Sequence, residues 1–207
     1  HALERFPGLA LAASLQADIE IVRMLRGYIR PVTHVQHTLD LVEAALRIEP
    51  DFAPALATKG WLTGVILGEG LAGHRLIDAS LARMPHGWLA IYYKVWLLIG
   101  DRKFAEAASV LEKGLSVNPL ERALVAIRSW MLCVEGRDAE ALAYIRDTAA
   151  LRPDVELLWI IASVIHVRQG DVAAARESMA RAEALYPNDS FTEASAAWLD
   201  AATGDAP

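Results

Sequence analysis

Pro119, Pro153 and Pro187 stand thirty-four residues apart, and two further series keep the same step: Gly136, Gly170 and Gly204, and Ala107, Ala141 and Ala175. Three residue types sharing one period restrict the chain to an array of similar supersecondary units, each of which hides its apolar face only by stacking on the next. Between the prolines and glycines, apolar residues recur three and four positions apart, the spacing of one helical face. Strand-like alternation never persists for more than a few residues, so the fold class is all-α.

The punctuation places the helices. Proline shortly after a helix prevents its continuation, and glycine past an end supplies a left-handed cap. The pattern predicts helices over 13–30, 34–48, 53–67, 71–83, 87–99, 104–117, 121–135, 139–151, 155–169, 172–185 and 191–202. In the first, Leu15, Ile19, Val22, Leu25 and Ile29 form an apolar stripe expected to face the core; in the second, Leu39, Val42, Ala45 and Leu46 do so. Pro50 to Pro85 is thirty-five residues and Pro85 to Pro119 thirty-four. Gly100 to Gly136 is thirty-six, which assigns two extra residues to the turn at 101–103. The expected organisation is a lead-in or tag remnant over 1–12 and one repeat domain over 13–204. Its repeats span 13–52, 53–86, 87–120, 121–154 and 155–188, with a capping helix over 190–203. The opening His1-Ala2 without an initiator Met reads as a fragment of a longer protein.

Composition narrows the function classes. Of 207 residues, 54% are hydrophobic and mean hydropathy is +0.25, more apolar surface than a monomer needs, which points to a partner surface. Twenty Lys and Arg against twenty-six Asp and Glu give a net charge of −6, so the electrostatic footprint for nucleic acid is missing. One cysteine, Cys133, excludes an internal disulfide and a thiolate-rich metal site. Val65–Leu67 is cut off by Gly68-Glu69, and Ile91–Ile99 contains Lys94, so no run has the length of a membrane span; a cytoplasmic location is expected. No phosphate loop, nucleophile elbow or zinc helix is present, which argues against an enzyme and against a cofactor. His34 and His37 share a helical face at a spacing two metal ligands could use, but no Cys or acid completes a site.

The repeats resemble the tetratricopeptide repeat family. With the closing proline in slot thirty-two of thirty-four, the family favours Trp or Leu in slot four and small residues in slots eight, twenty and twenty-seven. The fifth pair matches with Trp159, Ser163, Ala175, Ala182 and Pro187. The second offers Leu56, Gly60, Gly73, Ser80 and Pro85; the third offers Leu89, Ala107, Gly114 and Pro119. Arg128, Tyr93 and Thr38 depart from the pattern. A shorter likeness, through Leu25-Arg26-Gly27-Tyr28 and Arg47–Ala55, is to repeat regions of bacterial transcription regulators and cyclases.

The resemblance implies a right-handed α-solenoid of about five repeats plus a C-terminal capping helix, acting as a protein-protein interaction scaffold. It also implies a concave groove, whose residues here would be Trp61, Lys94, Leu97, Trp130, Cys133, Val134, Ile160, Val164, Val167 and Arg168. That set is apolar apart from Lys94 and Arg168, which suits an apolar helix or peptide better than an acidic one. The competing reading buries the same residues as core. The expected partner is a protein or peptide, or a second copy of the chain, without nucleic acid or membrane. The alternative function is a regulatory or sensor module of a larger bacterial regulator that self-associates or binds a small effector.

Overall fold

The computed structural model describes residues 9–204, and its described residues fold entirely into helices, turns and short connections. The chain order is α1 (Ala10–Leu25), α2 (Pro31–Ile48), α3 (Ala53–Trp61), α4 (Gly70–Arg83), α5 (Trp88–Gly100) and α6 (Phe104–Val117). There follow α7 (Arg122–Val134), α8 (Asp138–Leu151), α9 (Glu156–Arg168), α10 (Val172–Leu185) and α11 (Ser190–Thr203). The sequence suggests one continuous domain; the structure forms two compact units, the first ending at Val117 and the second beginning at Asn118. Of the expected lead-in, residues 1–8 lie outside the described residues, and α1 begins at Ala10.

The helix pairs turn on a common device. Gly68, Arg102, Gly136 and Gly170, each thirty-four residues after the last, have φ of +75°, +62°, +73° and +78°. Such a residue swings the chain so that the next amide reaches back to the helix's final turn: Lys103 N bonds Leu98 O at 2.8 Å, and Arg137 N bonds Leu132 O at 3.0 Å. The expected insertion at 101–103 is therefore corrected. The turns 101–103, 135–137 and 169–171 are equal in length, and Arg102, not Gly100, occupies the glycine position.

The extra residue between Pro50 and Pro85 sits inside a helix rather than in a turn. After Trp61 the ladder widens into a π turn over Leu62–Ile66, where Leu67 N bonds Leu62 O at 3.0 Å. One added residue closed into an i→i+5 bond leaves the flanking helix in register. The widened turn also sets Gly64 against α4. A Cβ on Gly73 would stand 2.7 Å from Gly60 O and 2.7 Å from Gly64 Cα, so α3 and α4 meet backbone to backbone at glycines.

The small slots behave as the resemblance implies: Ala107, Ala141, Ala175 and Ala182 are fully buried at helix contacts. The departures find local solutions. Tyr93 is buried with its ring 5.5 Å from that of Trp61, Arg128 lies 5.4 Å over the Tyr144 ring, and Thr38 returns its hydroxyl to His34 O at 2.9 Å.

The first helix packs on the face opposite to the expected one. Its buried side is Ala10, Ala13, Ala17, Ile21 and Met24, which joins Val42, Ala45, Trp61 and Ile77 in the core of the first unit. Alanine lets α1 approach its neighbours closely. The bulkier stripe of Leu15, Ile19, Val22 and Leu25 consequently points outward.

Candidate functional site

In the first unit, α1, α3, the π turn and α5 enclose a hollow of about 610 Å³. Tyr92 and Trp96, one turn apart on α5, meet edge to face with centroids 6.2 Å apart. Opposite them stand Trp61 and, in the π turn, Gly64 and Val65. The glycines open the space: a Cβ on Gly64 would lie 2.6 Å from Leu97 Cδ2, and Gly68 and Gly70 add backbone without bulk. Asp101 is the charged residue of the lining, and it accepts a hydrogen bond from His74 Nε2 at 3.0 Å. The hollow thus offers rings and aliphatic edges, with Asp101 as its one charged side chain.

Against Tyr93 lies a polar knot drawn from three helices. Thr58 Oγ1 on α3 is 2.6 Å from Asp18 Oδ1 on α1 and 3.1 Å from Pro54 O, and it also bonds Tyr93 on α5. A hydroxyl has one proton for these two acceptors. Ionised Asp18 accepts from Thr58 Oγ1; when protonated it can instead donate to Thr58, which then donates to the Pro54 carbonyl. Burial pushes the Asp18 carboxyl up to about 6, only partly opposed by the Thr58 bond. Tyr93 is held well above the ordinary phenol value, first by burial and next by the Asp18 charge.

The ten sequence-derived groove residues are not all presented alike. Trp61 and Leu97 are buried but form walls of the hollow. Lys94 turns to α4, donating to Asp78 Oδ1 at 2.7 Å. In the second unit Trp130 and Val134 are exposed on α7, whereas Cys133 between them is buried. Burial raises the Cys133 thiol above its ordinary range, more than the nearby Arg168 lowers it. Arg168 itself is committed: Nε donates to Asp138 Oδ2 at 2.9 Å and Nη2 to Cys133 O at 3.0 Å. Ile160 is buried with Met179, Ala182 and Leu199, and Val167 packs on the same cluster. Val164 is half-buried.

Two features of the second unit escape the sequence reading. A furrow of about 810 Å³ runs between α8 and α10, floored by Trp159, Ala162 and His166 of α9 and edged with alanines. Arg181 lies 4.6 Å over the Trp159 ring, and His166 Nδ1 is buried without a hydrogen-bond partner among the described residues. The alanine spacing on α8 is the signal that could have revealed the furrow. Separately, buried Glu156 pairs with Arg122, and Arg122 Nη1 donates to Asp154 O at 3.1 Å. No group of three or more His, Cys, Asp or Glu among the described residues is placed to hold a metal ion, and no described helix is long and apolar enough to cross a membrane.

The repeat geometry and the small-residue helix contacts define the class: the chain has the tetratricopeptide-repeat fold. Solved structures agree. It is similar to TTC0263, a tetratricopeptide-repeat protein of Thermus thermophilus, with a TM-score of 0.71 at 20% identity over 86% of this chain and 95% of that one. It is also similar to PilW, a widely conserved type IV pilus biogenesis factor, with a TM-score of 0.65 at 20% identity over 93% of this chain and 86% of that one. YrrB, a tetratricopeptide-repeat protein with an unusual peptide-binding site, gives a TM-score of 0.53 at 16% identity over 94% and 95% of the two chains. No protein-family model matches the sequence, and no curated protein matches it.

Proposed function

We propose that the protein is an interaction scaffold that anchors an apolar segment of a protein partner in the aromatic hollow of its first unit. The observation that carries this reading is the hollow itself: about 610 Å³, edged by Trp61, Tyr92 and Trp96 and opened by Gly64 and Gly70 where the next repeat carries Leu98 and Phe104. Aromatic rings provide large contact area at little cost in side-chain freedom, as binding anchors do. Lys94 and Arg168 are bound to Asp78 and Asp138, so neither is available to grip a guest carboxylate, which favours an apolar guest. In the second unit, Trp130 and Val134 are likewise exposed on α7.

A photo-crosslinking residue at Val65, with the adduct identified by mass spectrometry, tests the reading. The expected result is one dominant protein adduct that disappears when Trp96→Glu is added while helical content is unchanged. Undiminished crosslinking in the Trp96→Glu variant would refute anchoring in the hollow.

A further inference from the structure

We infer that the outer face of α1 is a self-association surface on which two copies of the chain pair antiparallel. Leu11, Leu15, Ile19, Val22 and Leu25 are 44%, 52%, 58%, 55% and 48% exposed, on a helix whose other face is fully used in the core. Spaced four, four, three and three apart, they form one stripe along the helix.

The area is sufficient for a pair. Five half-exposed aliphatic side chains at roughly 80 Å² each give about 400 Å² per copy, or about 800 Å² in a dimer, and the polar residues that flank the stripe supply the rest of the roughly 1,000 Å² a specific interface needs. A stripe of that size matches the largest apolar patch of a typical soluble chain, a patch that is often functional.

The stripe complements itself. A two-fold axis close to residues 18 and 19 brings Leu15 beside Val22 and Leu11 beside Leu25 of the second copy, with Ile19 near its own counterpart, so each aliphatic residue meets an aliphatic residue, as an isologous contact requires. Arg23 and Arg26 both lie at the carboxyl end of α1. Antiparallel pairing keeps Arg23 roughly 13 Å and Arg26 roughly 22 Å along the axis from their counterparts, whereas parallel pairing would bring like charges together. Asp18, beside Ile19, is turned toward Thr58 on α3 at 2.6 Å, and Glu20 is buried and pairs with Arg23 at 3.0 Å, so neither acid interrupts the face.

Light scattering on the full chain tests the proposal. At about 100 µM the expected mass is twice the chain mass, falling to the chain mass in an Ile19→Glu variant whose circular dichroism is unchanged. Orientation is read by disulfide crosslinking in a Cys133→Ser background. Ile19→Cys should crosslink to itself; Leu11→Cys should crosslink to Leu25→Cys in a mixture but not to itself. A wild-type chain that remains monomeric at that concentration overturns the proposal and leaves the stripe to a different protein. Self-crosslinking of Leu11→Cys overturns the antiparallel arrangement.

Discussion

Replacing Asp18 with Asn should stabilise the first unit at neutral pH. The Asp18 carboxyl rises from an ordinary 3.8 to about 6 because it is buried against Thr58 and Tyr93 with no cation among those partners. Between these values the folded chain holds a proton that the unfolded chain has released. Stability is therefore complete below the unfolded value and declines as pH rises toward about 6, the opposite sign to a salt-bridged carboxylate. A shift of that size amounts to about 3 kcal/mol above the folded value. Asparagine is neutral at every pH, and its amide can donate to Thr58 Oγ1 as the protonated acid does.

The stability difference between Asp18→Asn and the parent should thus be close to zero near pH 4, grow through the interval to about pH 6, and level off near 3 kcal/mol. Urea unfolding followed by fluorescence measures it, with Trp130, Trp159 and Trp198 changed to Phe so that the signal comes from Trp61, Trp88 and Trp96 of the first unit. Carbon-13 titration of the Asp18 carboxyl checks the cause. A variant less stable than the parent at pH 7, or a difference that does not vary with pH, would refute the argument.

Three further substitutions follow from backbone geometry and caps. Arg102 holds a left-handed conformation that glycine occupies in the turns thirty-four residues before and after it, so Arg102→Gly should raise stability by about 1 kcal/mol in denaturant unfolding. Gly73→Ala sets a Cβ 2.7 Å from backbone atoms of α3 and should cost about 2 to 3 kcal/mol, with a lowered unfolding midpoint. Asp189 accepts from Thr192 N at 3.0 Å and from Thr192 Oγ1 at 2.9 Å at the start of α11; Asp189→Ala should cost about 1 kcal/mol and speed hydrogen exchange in the first turn of that helix.

The regular features of the fold were readable because they repeat. A thirty-four-residue step in proline, glycine and alanine reports directly on where helices stop and where they touch, and the helices lie within a few residues of the positions it marks. What could not be read are the places where the chain keeps the backbone rule but changes the residue that usually announces it. Arg102 is the clearest case. The turn needs a positive φ, arginine can adopt one at a cost, and a search for glycine therefore lands on Gly100 and assigns an insertion where none exists. The π turn is similar in kind. Helical periodicity has no separate signature for a single extra residue absorbed within a helix, so the widening that shapes the hollow shows in the sequence only as thirty-five where thirty-four is the rule.

Burial is harder to read than helix position, and α1 shows why. Its larger aliphatic residues and its alanines lie on opposite faces, and periodicity finds the former because they are more hydrophobic. Which face goes inward depends on how closely the neighbours must approach. In a fold that stacks helices through small residues, the alanine face fits and the leucine face does not. The same reasoning separates the groove residues. Slot counting fixes which way a residue projects from its own helix but not what meets it, so Trp130 and Val134 reach solvent while Cys133 and Ile160 are buried. An apolar stripe that stacking leaves outside must therefore be weighed as a surface in its own right, and on α1 that stripe is the one the sequence alone would have placed in the core.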